Sequence, residues 1–325
     1  MARRAEPKEE RHGVSFSSLD TELAAGTGVS KRALVDYLDG IADRMLPALR
    51  DRPLSVIRST RGQMPFMQKN LPDHAPEWIE RAPLWAEASQ RTVDYALCND
   101  VRTLMWFANQ RAVEYHVTLS CTADLHAPTH LVIDLDPPEG AAFSVVAAAA
   151  HRVHEVLNEV GLAAAVKSGG SKGVHVVMPV TDVSSEEAIF ATRAIAARTE
   201  RLDPDALTTA FLKDDRGGRL FLDATRGGLS TVVSVYSPRL RPGAPVSWPL
   251  AWDELNGFEP SDVTIENALG LLDGREPWSA LLPSPQQVPA VLVEEGSEIP
   301  TPRVAAMHEG KRRARAAPQV SSSDA

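Results

Sequence analysis

Cysteine is nearly absent from this chain. Cys98 and Cys121 are its two cysteines among 325 residues, which excludes a disulfide framework and a paired-cysteine metal knuckle. Both are expected to act as buried apolar residues. Long apolar runs are missing as well: no stretch approaches a membrane span, and the charged start Met1-Ala2-Arg3-Arg4-Ala5-Glu6-Pro7-Lys8 lacks the apolar core of a signal peptide. The expectation is a cytoplasmic protein with no membrane partner. A basic excess is also lacking, since 34 Lys and Arg face 43 Asp and Glu for a formal charge of −9. That balance argues against a surface coated in positive charge. Local grooves that contact phosphate stay open, because carboxylates that hold metal add to the negative count.

What is present is an ordinary globular composition, 43% hydrophobic and 24% charged, in a chain long enough for two lobes with a sizeable core. Residues 1–13 show no apolar period and are expected to be a mobile tail. Ser30 is an N-cap candidate for one or two helices reaching residue 50. A strand is expected over 54–58, and the region up to Pro83 is broken by Pro65, Pro72, Pro76 and Pro83 into a loop-rich contact surface. The spacing of Val101, Leu104, Met105, Phe107, Ala108, Ala112 and Tyr115 predicts a helix over 101–116. Then come a strand ending at Asp136, a helix over 142–162, strands over 163–167 and 174–179, a helix over 186–201, and strands over 219–223 and 230–236. That order predicts an α/β (α+β) fold with a mixed or antiparallel sheet. Pro, Glu and Ser enrichment beyond 283 and the basic cluster Lys311-Arg312-Arg313-Ala314-Arg315 predict a mostly disordered tail over 283–325.

The stretch His130-Leu131-Val132-Ile133-Asp134-Leu135-Asp136-Pro137 delivers two carboxylates at alternate positions. Pro137 and Pro138 stop the hydrogen-bond ladder there, so both acids are expected to turn toward one site. By themselves they suit a capped turn as well as a metal mount. Asp223 again ends an apolar strand, Leu220-Phe221-Leu222, and oxygen ligation by three acids suits one or two hard divalent cations, as nucleotidyl transfer requires. In Ser168-Gly169-Gly170-Ser171-Lys172-Gly173, glycine lets backbone N–H groups approach a phosphate, while Ser and Lys supply a donor and a charge. A strand follows it and the first Walker glycine is missing, so by itself the loop reads as a hairpin. His175 can reach the same side as Lys172. Arg226, Arg239 and Arg241 offer forks for triphosphate oxygens, although each alone also suits a surface ion pair. His116 alone reads as a satisfied surface histidine.

Taken in order, Asp134-Leu135-Asp136-Pro137, the loop from Ser168 to His175, and Phe221-Leu222-Asp223 with Arg226 resemble the three motifs of the archaeo-eukaryotic primase superfamily. Ser30 to Tyr37, Gln68-Lys69-Asn70, Trp106-Phe107-Ala108-Asn109 followed by His116, and Tyr236-Ser237 through Arg241-Pro242-Gly243-Ala244-Pro245-Val246 narrow this to the polymerase domain of bacterial end-joining ATP-dependent DNA ligases. The similarity runs from about Val29 to Trp278. It implies a primase-polymerase fold over 14–282, with a smaller N-terminal α/β lobe at about 14–125 and a catalytic lobe, related to the RNA-recognition-motif sheet, at about 126–282. Asp134, Asp136 and Asp223 would be catalytic and hold two divalent cations, Mn2+ or Mg2+. His116, Ser168, Ser171, Lys172, His175, Arg226 and Arg239 would bind the nucleotide. Lys31 would grip the 5′-phosphate of the downstream strand, Phe66 would stack on a template base, and Arg52 and Lys69 are further DNA-binding candidates.

The family pattern is not kept throughout. A second phosphate-gripping lysine is replaced by Thr21, an aromatic usually beside Phe66 is Met67, and Ala224 and Gly227 stand where Tyr and Asn are usual. The loop carries one additional Gly between Ser168 and Lys172, which leaves open whether Ser168 or Ser171 meets the phosphate. The function implied is a template-dependent nucleotidyltransferase filling short gaps in DNA repair, in end joining or excision repair, with ribonucleoside as well as deoxynucleoside triphosphates. Its partners would be gapped or primer-template DNA carrying a 5′-phosphate and a separately encoded DNA ligase, and it would act as a monomer near the bacterial nucleoid. The alternative is a non-catalytic DNA end- or gap-binding factor that recruits a ligase.

Overall fold

The computed structural model describes residues 9–60, 63–86 and 90–300. Strands β1 (Glu10–Arg11) and β2 (Val14–Ser15) form a short antiparallel ribbon laid on α1 (Lys31–Leu49). Residues 9–13 of the expected tail are therefore placed, because Arg11 reaches Asp36 at 2.6 Å and Asp39 at 3.5 Å while His12 reaches Asp39 at 2.7 Å. Residues 1–8 lie outside the described residues. The Ser30 hydroxyl accepts from the Ala33 N–H at 3.1 Å and so satisfies one donor at the helix start. Leu34, Leu38, Ile41, Met45 and Leu49 follow at helical spacing on the buried face.

Next come β3 (Leu54–Arg58), β4 (Phe66–Gln68), β5 (Arg81–Ala86), β6 (Arg91–Ala96), α2 (Val101–Asn109) and β7 (Ala112–Thr118), followed by a hairpin of β8 (Ser120–Cys121) and β9 (Asp124–Pro128). The prolines of the expected loop-rich region do not prevent strands there. Pro83 sits in β5, the edge strand of the sheet ordered β7-β3-β6-β5 on this side, and an edge strand tolerates proline because one side of it carries no ladder. The helix expected over 101–116 stops at Asn109. Arg111 turns the chain with a φ of 62°, and 112–118 becomes a strand. Its side chains are buried on both faces, and such a run carries no period that separates strand from helix.

The second part of the chain holds β10 (His130–Asp136), α3 (Phe143–Val160), β11 (Ala165–Ser168), β12 (Val174–Thr181), α4 (Ser185–Leu202), β13 (Leu207–Thr208) and β14 (Leu220–Asp223). Beyond these run β15 (Thr231–Val233), β16 (Pro249–Leu250), α5 (Ala268–Leu272), α6 (Pro277–Leu281), β17 (Gln286–Gln287) and α7 (Ala290–Glu298). The sheet order is β13-β14-β10-β12-β11-β16, antiparallel except for β13 beside β14. One face packs Leu131, Ile133, Leu135, Val174, Val176 and Leu222 with α3 and α4 into a single core. The strand pleat sends the intervening residues, acids included, to the opposite face.

The expected lobe division at about 125/126 is crossed. Strand β15 pairs with β7, and Val235, Tyr236, Val246, Val263 and Ile265 complete the core around α1. Tyr37 fixes this return by donating its hydroxyl to the Tyr236 carbonyl at 2.7 Å. Residues 283–300 are likewise folded rather than a tail: β17 pairs with β12, and α7 lies on α4 with Glu295 at 2.6 Å from Arg198 and 2.8 Å from Arg201. Gly296 permits that approach, since a Cβ there would meet the Phe190 carbonyl oxygen. Residues 301–325, with the basic cluster, lie outside the described residues. No helix among the described residues is long and apolar enough to cross a membrane.

Candidate active site

Strand register assembles a row of ionisable side chains on the open face of the catalytic sheet. Asp223 stands opposite Asp134, Asp134 opposite His175, and His175 opposite Lys167, on β14, β10, β12 and β11. Asp136 lies two residues along β10 and therefore on the same face. The pleat, not the proline stop, brings Asp134 and Asp136 to one side, because both lie within the strand.

Each carboxylate already has a cationic neighbour. Arg226 Nη2 lies 3.1 Å from both Asp134 Oδ2 and Asp223 Oδ2. Asp136 is held by Lys172 at 2.9 Å and by Arg216 at 3.2 Å, and the Arg216 guanidinium stacks 3.8 Å over the Phe221 ring. Thr225 orients Asp223 by donating its N–H at 2.9 Å and its hydroxyl at 2.5 Å to Oδ1, which leaves Oδ2 for Arg226. Burial raises the Asp134 carboxyl above the ordinary carboxylate range; Arg226 opposes the rise, and Asp223 and Asp136 add to it. Among the described residues no three carboxylate, imidazole or thiolate groups converge as a ready metal cluster. The donor chemistry nevertheless fits a hard divalent cation. Asp134 and Asp223 offer oxygen alone and share one cationic nitrogen between them, and Asp136 stands one pleat away.

Lys167 closes the row. It is 3% exposed, donates to Ser247 Oγ at 2.7 Å, and sits 3.2 Å from His175 Nδ1. Burial, then the nearby Arg239, push its ammonium down to about 7. His175 is driven well below the ordinary histidine value by burial and then by Lys167. A neutral ring accepting at Nδ1 carries its proton on Nε2, which lies 3.5 Å from Asp134.

The glycine loop places its two serines in different surroundings. Ser168 is wholly buried, and its hydroxyl accepts from the Gly170 and Trp248 N–H groups at 3.2 Å each. Ser171 lies half-buried at the loop surface beside exposed Lys172. Gly170 takes a φ of 67°, and a Cβ there would meet Arg239 Cγ and Ser247 N at 2.7 Å, so only glycine fits. Arg239 crosses to this loop and donates to the Gly169 carbonyl.

His116 sits on β7, not at a helix end, and its Nε2 is 3.0 Å from Glu114. Phe66 and Met67, 41% and 45% exposed, rim a recess of about 430 Å³ whose wall includes Glu114, Arg239 and Arg241. Lys69 is exposed nearby. Lys31 and Arg52 are not brought to this surface. Lys31 is buried and donates to the Ser17 carbonyl at 2.8 Å and to Asn109 Oδ1 at 2.7 Å, and burial lowers its ammonium to about 8. Arg52 donates to the Thr118 and Leu119 carbonyls and to Thr129 Oγ1. Thr21 accepts from Arg111 at 3.0 Å. Reading the sequence missed Lys167, Glu114 and Arg216. Glu114 had a usable signal, an acid two residues before a candidate histidine in a run that can be a strand; Lys167 and Arg216 had none.

Residues 30–278 match the model of the LigD primase-polymerase domain. The chain is 30% identical over 279 residues to the multifunctional non-homologous end joining protein LigD of Mycolicibacterium smegmatis, covering 84% of this chain and 36% of the relative. Identity to the LigD protein of Mycobacterium tuberculosis is 32% over 255 residues, 75% of this chain and 33% of that one. The chain thus spans about a third of the length of these relatives. The polymerase domain of Mycobacterium tuberculosis ligase D in complex with DNA superposes with a TM-score of 0.74 at 28% identity, covering 90% of this chain and all of that one. The acid row, the glycine loop and the arginines lie inside the matched span, and the chain belongs to the LigD primase-polymerase domain family.

Proposed function

We propose that this protein fills short gaps in DNA by metal-dependent, template-directed nucleotidyl transfer, on primer-template or gapped DNA, from ribonucleoside and deoxynucleoside triphosphates. The observation that carries the reading is the cross-strand row of Asp223, Asp134, His175 and Lys167 with Asp136 beside it. Asp134, Asp136 and Asp223 would hold two divalent cations, Mn2+ or Mg2+, which when bound supply charge neutralisation at the triphosphate and a more acidic primer 3′-hydroxyl. Lys172, Arg216 and Arg226, now paired with those carboxylates, become free to face phosphate oxygens once the carboxylates have other partners. Ser171, His116 and Arg239 complete the phosphate side, and His175 presents Nε2–H beside Asp134. Fixed donors of this kind cost little reorganisation as pyrophosphate departs.

Phe66 and Lys69 contact the template strand in this reading. Lys31 and Arg52 shape the lobe beneath it, and their use on a 5′-phosphate requires that they first give up their internal carbonyl partners. The repair pathway belongs to the same proposal and is supported by the end-joining relatives, and a separate ligase would seal the filled gap. A binding role without catalysis is not favoured, since all three carboxylates stand in the site. The deciding assay is gap filling with each metal and each nucleotide type, wild type against Asp134→Ala. Incorporation by the wild type that the variant loses supports the reading; equal extension by both sinks it.

A further inference from the structure

An acid is out of place among groups that receive a triphosphate, because its charge repels the ligand. Glu114 is such an acid. It lies two residues before His116 on β7, hence on the same face, and it forms part of the recess wall with Arg239 and Arg241. The residue is 4% exposed. Oε1 accepts the Leu240 N–H at 3.0 Å. Oε2 lies 3.0 Å from His116 Nε2 and 3.0 Å from Arg239 Nε; the Arg239 contact falls off the N–H direction, so it is Coulombic rather than a hydrogen bond. Burial by itself would raise this carboxyl, but His116, Arg239 and the Leu240 N–H override it and hold it down at about 2. A buried carboxylate is costly unless fully partnered, and all the partners here are groups of the phosphate side or their backbone neighbour.

We propose that Glu114 is a positioning residue for the incoming triphosphate: it fixes His116 and Arg239 in the orientation that receives the phosphates. Through Arg239, which donates to the Gly169 carbonyl, that orientation is tied to the glycine loop of the other sheet. Glu114 engages His116 at Nε2, so Nδ1 is the ring atom left to face a ligand. With Nε held against Glu114 by charge alone and Nη1 hydrogen-bonded to Gly169, Arg239 keeps Nη2 for an oxygen of the phosphate chain. The assignment rests on the reading of His116 and Arg239 as nucleotide-binding residues.

The test is equilibrium binding of a non-hydrolysable ribonucleoside triphosphate with Mn2+ to the full chain, together with primer-template affinity and thermal stability. Wild type is compared with E114Q, E114D, R239A and the double variant E114Q/R239A. Loss of the carboxylate in E114Q is expected to weaken triphosphate binding on the order of 10-fold at unchanged DNA affinity. In the R239A background the same change should cost less than about 2-fold, because the carboxylate acts through the arginine. E114D keeps the charge and should recover part of the loss, and it carries the test if E114Q does not fold. An equal loss with and without Arg239, or a lowered melting temperature at intact triphosphate affinity, overturns the proposal. A wild type that binds no triphosphate overturns the nucleotide-site reading itself, a result separable from failure of Glu114 alone.

Discussion

In the sheet ordered β13-β14-β10-β12-β11-β16 the candidate site takes one residue from each of β14, β10, β12 and β11, so that Asp223, Asp134, His175 and Lys167 stand side by side across the strands. In the N-terminal sheet, Glu114 and His116 come from the single strand β7 and meet Arg239 from a later loop. The first arrangement depends on register: slipping any one strand by a residue would send its charge into the helix-packed core. The second depends on alternation along one strand and on a long-range return of the chain. The acid row is thus rigid and carries its charges on neighbouring strands, whereas the cluster of His116 and Arg239 hangs on one buried carboxylate and can be loosened without unfolding a sheet.

The largest effects are expected at the acid row. Asp134→Ala should lower nucleotide incorporation on the order of 10³-fold while leaving the far-ultraviolet circular dichroism of the sheet unchanged, read by primer extension and spectroscopy together. Replacing the far end, Lys167→Met, should cost on the order of 10- to 100-fold in incorporation, since it frees the His175 ring rather than removing a reacting group. If Lys167→Met costs nothing, the row ends at His175.

On the other side of the cleft, Phe66→Ala should weaken primer-template binding by about 1–3 kcal/mol, the usual worth of one base stacked on an aromatic ring, measured by fluorescence anisotropy. Gly170→Ala probes the joint between the two regions. The residue's φ of 67° and the 2.7 Å approach of Arg239 Cγ predict a destabilisation of about 1–2 kcal/mol, visible as a lower melting temperature.

The smallest effects are those of pH. Lys167 and Lys31 have ammonium groups held down to about 7 and about 8, below the ordinary lysine value of 10.5. Between those limits the unfolded chain binds more protons than the folded one, so stability should climb as pH rises from 7 toward 10. Glu114 works in the opposite sense. Its carboxyl is held near 2 against an ordinary 4.5, so the stability it contributes is complete above 4.5 and lost as pH falls toward 2. Urea denaturation across pH checks both arms, and in Lys167→Met the alkaline rise should shrink.

Much of the candidate site can be read from the chain. Asp134, Asp136, Asp223, Lys172 and His175 stand beside strand-forming runs or in a glycine loop, and those local contexts survive folding. Errors cluster where burial erases the signal. The strand 112–118 is covered on both faces and so passed for the end of a helix, which placed His116 at a helix terminus. The folded segment 286–298 was lost for a related reason: its contribution is one short parallel pairing and a helix whose close seat depends on Gly296, neither visible as a period.

The element types that carry the acids, the glycine loop and the family are all legible along the chain, because strand runs, prolines and motif order are local properties. Tertiary structure alone decided that Lys31 and Arg52 are interior and that Ser168 is a packing group while Ser171 faces out. It also decided that Lys167 and Glu114 enter the site. Those outcomes turn on which strand lies beside which and on where a buried charge finds its partner, and no spacing along one chain encodes either.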